Sequence, residues 1–271
     1  MTSEITAPTG TPGGDFFLTP ELAQRLNLVQ HLLVNSDQLL LIMAERGAGK
    51  TIFLRQILAN AQENWKLISL TGSPTIVENT LFSALNQAFR LSTDSTSLDT
   101  LADALRVAIA AARFNGEMPI LCVDDAHMLP LETLRWLIEL SMTGQPHTRL
   151  RLLMGCEPQI TSLFVTPEFG VLRNSLIHTL DIPPFSPAQA ADYLRAKFPG
   201  ASWDSAVVRQ WHAQANGLPG GLQHLASARP AWSASTKDAP TATTTPARLA
   251  QWLKWGGAIA LASALASGLA W

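Results

Sequence analysis

Residues 38–60 read QLLLIMAERGAGKTIFLRQILAN, and this stretch decides the fold. An apolar run over 38–43 ends in Ala44-Glu45-Arg46-Gly47-Ala48-Gly49-Lys50-Thr51, and apolar periodicity beyond it predicts a helix over about 50–62. Small residues let successive backbone N–H groups curl around phosphate oxygens. Gly47 and Gly49 supply the backbone freedom, while the helix turns its N-terminus on the phosphates. In such a loop Lys50 reaches the β- and γ-phosphates and the Thr51 hydroxyl ligates Mg²⁺. The loop from Ala44 to Thr51 is therefore expected to bind ATP, or a close nucleoside triphosphate, with Mg²⁺. Ala44 stands where the motif begins with glycine, which is tolerable only if φ there is negative.

A magnesium site at such a loop needs a second strand ending in carboxylates, and Ile120-Leu121-Cys122-Val123-Asp124-Asp125 offers one. Asp124 is expected to hold Mg²⁺ through its water shell, and Asp125 to polarise the attacking water. The alternative is a solvated strand end that caps the next turn. Aspartate at the second position is shorter than the commoner glutamate, which favours slow hydrolysis. His127 follows at once and is read as a supporting residue rather than a catalytic one.

Further apolar runs fall at 66–70, 119–123, 150–155 and 176–182, separated by helical patterns at 75–90, 98–114, 130–141 and 158–165. Thr19-Pro20 opens a helix whose Leu22, Leu26, Val29 and Leu33 share one face. Strands alternating with helices predict an α/β fold, a P-loop NTPase with a parallel sheet covered by helices. After Ile182-Pro183-Pro184 the pattern turns all-helical, at 186–197, 204–215 and 219–228. The expected organisation is a disordered N-terminus (1–15), an α/β core (16–183), a helical lid (184–228), a flexible linker (229–251) and a transmembrane helix (252–271).

The membrane helix is read from Trp255 to Trp271, WGGAIALASALASGLAW, an uncharged stretch with tryptophans at both ends. Lys254 and Arg248 on its N-terminal flank place the preceding domain in the cytoplasm. A buried Ala-rich helix is the alternative. Gly256, Ala260, Ala264 and Gly268 form a small-residue stripe suited to helix pairing, so a homo-oligomer is a further expectation. The formal net charge of −2 gives no basic field for nucleic acid. The two cysteines, Cys122 and Cys156, lie in apolar runs and read as small buried hydrophobes. The opening MTSEITAPTGTPGGD lacks the charged and apolar regions of a secretory signal.

Four stretches, FFLTPELAQRLNLVQHLL, DQLLLIMAERGAGKTIFLRQIL, ILCVDDAHMLP and LDIPPFSPAQAADYL, make the chain over about 16–228 resemble AAA+ ATPases of the ExeA/GspA secretion type. The order of ATPase domain, polar linker and membrane span is similar to the N-terminal halves of DamX-related cell-division proteins. The resemblance implies an AAA+/ASCE core, ATP and Mg²⁺ as ligands, the bacterial inner membrane as location and envelope proteins as partners. It also exposes departures. Gly155, Cys156 and Glu157 stand where a neutral γ-phosphate sensor is usual, and Gly217-Leu218-Pro219-Gly220 replaces the lid's Gly-x-Pro-Arg. Arg173 is the candidate for a charge delivered to a neighbouring subunit's nucleotide, with Ser175 where a second arginine is frequent.

Three functions remain open on these residues. One is a membrane-tethered ATPase that drives assembly of a division or secretion machine. Another is a scaffold that binds nucleotide with little hydrolysis. The third is a DNA-associated helper of the transposition type, against which the membrane span and the lack of a basic run both count.

Overall fold

The computed structural model describes residues 16–74, 78–91, 98–142, 144–166 and 177–228. Five strands form one sheet: β1 (Leu39–Met43), β2 (Trp65–Thr71), β3 (Met118–Asp124), β4 (Arg151–Cys156) and β5 (Ile177–Asp181). The order is β2-β3-β4-β1-β5, and all four pairings are parallel. Parallel strands are covered on both faces, which is why β1, β3 and β4 are near-continuous apolar runs. β4 lies between β1 and β3, so the ends of all three strands converge on one edge of the fold. The connections out of β1 and into β5 both jump, and a crevice opens at the carboxyl ends beside such a switch.

Alternate residues feed two cores. Leu41, Leu121, Val123, Leu152 and Met154 face helices α3 (Glu78–Phe89), α4 (Leu98–Phe114) and α5 (Leu131–Met142). Leu40, Ile42, Ile120, Cys122 and Leu153 face α1 (Pro20–Asn35) and α2 (Lys50–Ala59). Thr19 caps α1 by accepting the Leu22 N–H at 3.3 Å, and Leu22, Leu26, Val29 and Leu33 are buried as their spacing predicts. Cys122 and Cys156 are free, buried and in different cores.

Three helices follow β5: α6 (Pro187–Lys197), α7 (Ser205–Gln214) and α8 (Pro219–Ala228). Ser186 and Gln189 make a reciprocal capping box at α6, and Asp204 caps α7 through the Ala206 N–H at 2.8 Å. Leu194, Val208 and Leu222 are buried in the same cluster as α1 and α2. The lid thus continues the core on that face of the sheet.

One element differs in kind. Residues 158–165, expected as an ordinary helix, form a 3₁₀ helix over Pro158–Val165. The Thr161 and Ser162 hydroxyls donate to the carbonyls of Pro158 and Gln159, three residues back, which goes with the tighter winding. Among the described residues no helix is long and apolar enough to cross a membrane. The expected span at 252–271, the linker at 229–251, the N-terminus at 1–15 and Arg173 all lie outside the described residues.

Candidate functional site

β1 delivers the chain to the phosphate-type loop, and a backbone bond sets its start: the Ala44 N–H donates to the Cys156 carbonyl of β4 at 3.2 Å. Ala48 then closes a turn onto Glu45 O at 3.1 Å, and Phe53 N bonds Gly49 O at 2.9 Å as α2 begins. Gly47 and Gly49 take φ of +86° and +94°, the left-handed region where a side chain is strained. Ala44 is outside that region, so alanine is accommodated where the motif has glycine. Lys50 is only 6% exposed, and its Nζ donates to the carbonyls of Ala44 at 2.9 Å and Glu45 at 3.2 Å. The ammonium therefore sits inside the loop's curl, where an anion would complete its coordination.

β3 brings Asp124 and Asp125 to the same end of the sheet. The Asp124 Oδ1 accepts the Asp125 N–H at 3.0 Å and lies 3.2 Å from the place a β-carbon on Gly155 would take. Asp125 adopts φ +48° and begins the 3₁₀ turn Ala126–Met128, its carbonyl accepting the Met128 N–H at 2.8 Å. Of the two carboxylates, Asp125 lines the cavity described next.

That cavity holds about 500 Å³ and runs from the loop to an aromatic end. At the polar end stand Arg46 to Thr51, Asp125, His127 and Glu157. His127 Nδ1 accepts the Glu157 N–H at 3.4 Å and its Nε2 lies 3.6 Å from Glu157 Oε1, linking the ends of β3 and β4. A neutral His127 bonded this way carries its proton on Nε2, facing the carboxylate. At the other end Phe17, Phe185 and Tyr193 meet with ring centroids 5.3–5.6 Å apart. Phe16, Ile182 and the lid's Pro219, Gly220 and Gln223 complete the wall. An elongated ligand with a planar apolar group and an anionic tail matches this polarity.

The structure brings Ala44, Gly47, Ala48, Gly49, Lys50, Thr51, Asp124 and Asp125 to one end of the sheet, as their motifs predict. The aromatic end carries no motif in the sequence. The adjacent Phe16-Phe17 before the α1 cap was the available signal, since such a pair ahead of a polar cap needs a place to pack. Gly220, which stands at the lid position where an arginine is usual, rests on Gly47.

Residues 34–164 match the family model described as AAA domain. No curated protein matches the sequence. Among solved structures, Cdc6p of Pyrobaculum aerophilum superposes with a TM-score of 0.53 at 18% identity, over 73% of this chain and 56% of that one. The ORC1 protein of Aeropyrum pernix, solved in complex with DNA, gives 0.55 at 19% identity, over 78% and 59%. The ORC2 protein of the same organism, solved as ADPNP–ADP complexes, gives 0.54 at 11% identity, over 79% and 64%. The chain thus spans less than two thirds of each of these proteins, and the likeness is one of fold. The described core is thus an α/β domain with the fold of P-loop NTPases, similar over residues 34–164 to the AAA domain.

Proposed function

We propose that this chain binds ATP with Mg²⁺ in the cavity between the Ala44–Thr51 loop and the lid, and hydrolyses it slowly. The observation that carries the reading is Lys50. Its ammonium is buried inside a loop with two left-handed glycines, at the polar end of a cavity whose other end is aromatic. Lys50 and the loop amides hold the phosphate tail, while Phe17, Phe185 and Tyr193 receive the base. Thr51, Asp124 and Asp125 form a donor set of one hydroxyl and carboxylates, the oxygen ligands a hard cation takes. Bound Mg²⁺ would neutralise phosphate charge and fix the geometry of the tail. Asp125 is the carboxylate placed to orient a water, and Arg173 is the candidate charge for a neighbouring subunit's nucleotide.

The resemblance to ExeA/GspA-type and DamX-related proteins, with the uncharged Trp-flanked stretch 252–271, supports a wider reading. The ATPase-like domain faces the cytoplasm of a bacterial cell, tethered to the inner membrane by 252–271, and its nucleotide cycle serves an envelope machine. A second reading, a nucleotide-dependent scaffold with little turnover, is favoured by the short Asp125 side chain and by a lid that brings no cation to the cavity among the described residues.

Equilibrium binding of MgATP and steady-state phosphate release by the full chain test both readings. Micromolar binding that is lost in Lys50→Ala supports the site. Wild-type binding without release above background leaves the scaffold and sinks the motor. Unchanged binding in Lys50→Ala would place the nucleotide elsewhere.

A further inference from the structure

The lid meets the phosphate loop through backbone alone. The Gly220 N–H donates to the Gly47 carbonyl at 2.9 Å, and a β-carbon on Gly220 would lie 3.0 Å from both the Gly47 Cα and its oxygen. The turn that aims this contact is anchored in its own right. Phe185 N donates to Gly217 O at 2.9 Å, and His212 Nε2 lies 2.7 Å from the Phe185 carbonyl oxygen. Gly217 has φ +70°, and a β-carbon there would fall 2.5 Å from that same oxygen. The start of α8 is therefore wedged between the end of the sheet and the loop.

The wall it presents is neutral. Among the described residues the lid lines the cavity with Phe185, Tyr193, Pro219, Gly220 and Gln223, whereas Arg46, Lys50 and the acidic residues belong to the core. A guanidinium at this wall would favour a longer anionic tail through charge-assisted hydrogen bonds. A neutral wall has no such preference between two phosphates and three.

We propose that the lid, latched to the phosphate loop by the Gly220–Gly47 hydrogen bond, accepts nucleoside di- and triphosphates alike. The inference rests on the nucleotide reading above and adds what that reading leaves open, namely which nucleotide state the lid distinguishes. Any shift of the loop as its amides wrap phosphate passes through the Gly47 carbonyl to α8. The latch ties α8 to the loop before any ligand binds, and it holds alike over two phosphates or three.

The full chain is titrated with MgADP and with an MgATP analogue whose terminal bridge resists hydrolysis. Dissociation constants within about threefold of each other are expected. Gly220→Ala, whose β-carbon must push Gly47 aside, weakens both by the same factor, about fivefold for one hydrogen bond. Gly220→Arg tilts the ratio towards the triphosphate by about tenfold or more. Wild-type preference for the triphosphate by about tenfold, or a Gly220→Ala effect confined to one nucleotide, overturns the proposal. A second arm needs no nucleotide: the Gly220 amide of the ligand-free chain exchanges about a hundredfold more slowly than an unprotected amide. Exchange at the unprotected rate removes the latch even if nucleotide binds. Protection with no affinity for either nucleotide overturns the nucleotide reading, and reduces the contact to packing.

Discussion

A β-carbon on Gly72 would lie 2.2 Å from the Asp125 carbonyl oxygen and 2.8 Å from its carbonyl carbon. The end of β2 therefore presses on the turn that carries the candidate water-orienting carboxylate, and the Gly72 N–H fixes it by donating to Asp124 O at 2.7 Å. Gly72→Ala is expected to destabilise the fold by about 1–3 kcal/mol, the usual range for overpacking. It should lower ATP turnover more than it lowers MgADP binding, because Asp125 moves while the loop does not. Urea unfolding and nucleotide titration of the variant check both halves. Asp125→Asn should leave stability within about 0.5 kcal/mol, since asparagine tolerates the left-handed backbone.

The two ends of the cavity should separate by mutation. Lys50→Ala removes the buried cation at the phosphate end and is expected to weaken both ATP and inorganic tripolyphosphate by about a hundredfold. Phe17→Ala removes one ring of the aromatic end, and base stacking of about 1–3 kcal/mol predicts roughly a tenfold loss for ATP. Tripolyphosphate, having no base, should bind Phe17→Ala as it binds the wild type. Calorimetry with the two ligands reads the split, and equal losses for both in Phe17→Ala would remove the base from the aromatic end.

What could be seen in advance follows from how local each feature is. The loop from Ala44 to Thr51 and the Asp124-Asp125 pair are contiguous, each fastened to the end of one strand, so their geometry follows from their own residues. The aromatic end draws on Phe17, Phe185 and Tyr193, which meet only once β5 has run beside β1 and the lid has folded back. No spacing rule announces such a meeting. Gly220 shows a different limit. Compared with a motif it is an arginine lost, whereas packed against Gly47 it is a contact only glycine makes without displacing its neighbour. At 158–165 the apolar spacing predicted a helix but was blind to hydroxyls that bond three residues back.

At the opposite end of the sheet Arg151 opens β4, with a side chain only 10% exposed and its Nη1 2.7 Å from Asp37 Oδ1. It also donates to the Ser36 carbonyl. Burial pushes the guanidinium below its ordinary range, and Asp37 pulls it back. Removing the carboxylate leaves a largely buried cation with less compensation. Because Asp37 itself is nearly half exposed, water replaces part of what is lost, and Asp37→Ala is expected to cost about 1–2 kcal/mol. Chemical denaturation measures it. Nucleotide affinity should be unchanged, since this pair lies at the amino end of β4 and the site at its carboxyl end.

The two thiols give a pH signature. Burial pushes Cys122 up to about 12, with the Asp124 charge adding to it. Burial also pushes Cys156 up to about 12, where Lys50 opposes the shift and Asp125 and Asp124 reinforce it. In the unfolded chain a thiol ionises near about 8.5. Below that pH both states hold the proton and the thiols add no pH dependence. Between roughly 8.5 and 12 only the unfolded state releases it, so stability falls as pH rises, by at most about 1.4 kcal/mol per pH unit for each thiol. Urea midpoints at pH 8 and pH 10 should therefore diverge, and Cys122→Ser or Cys156→Ser should reduce the slope from a lower starting stability. At pH 8 the folded protein should resist a disulfide reagent and yield two thiols only on unfolding. Rapid reaction of either cysteine in the native state would show that its buried thiol reaches solvent without unfolding, against the burial of both in the folded chain.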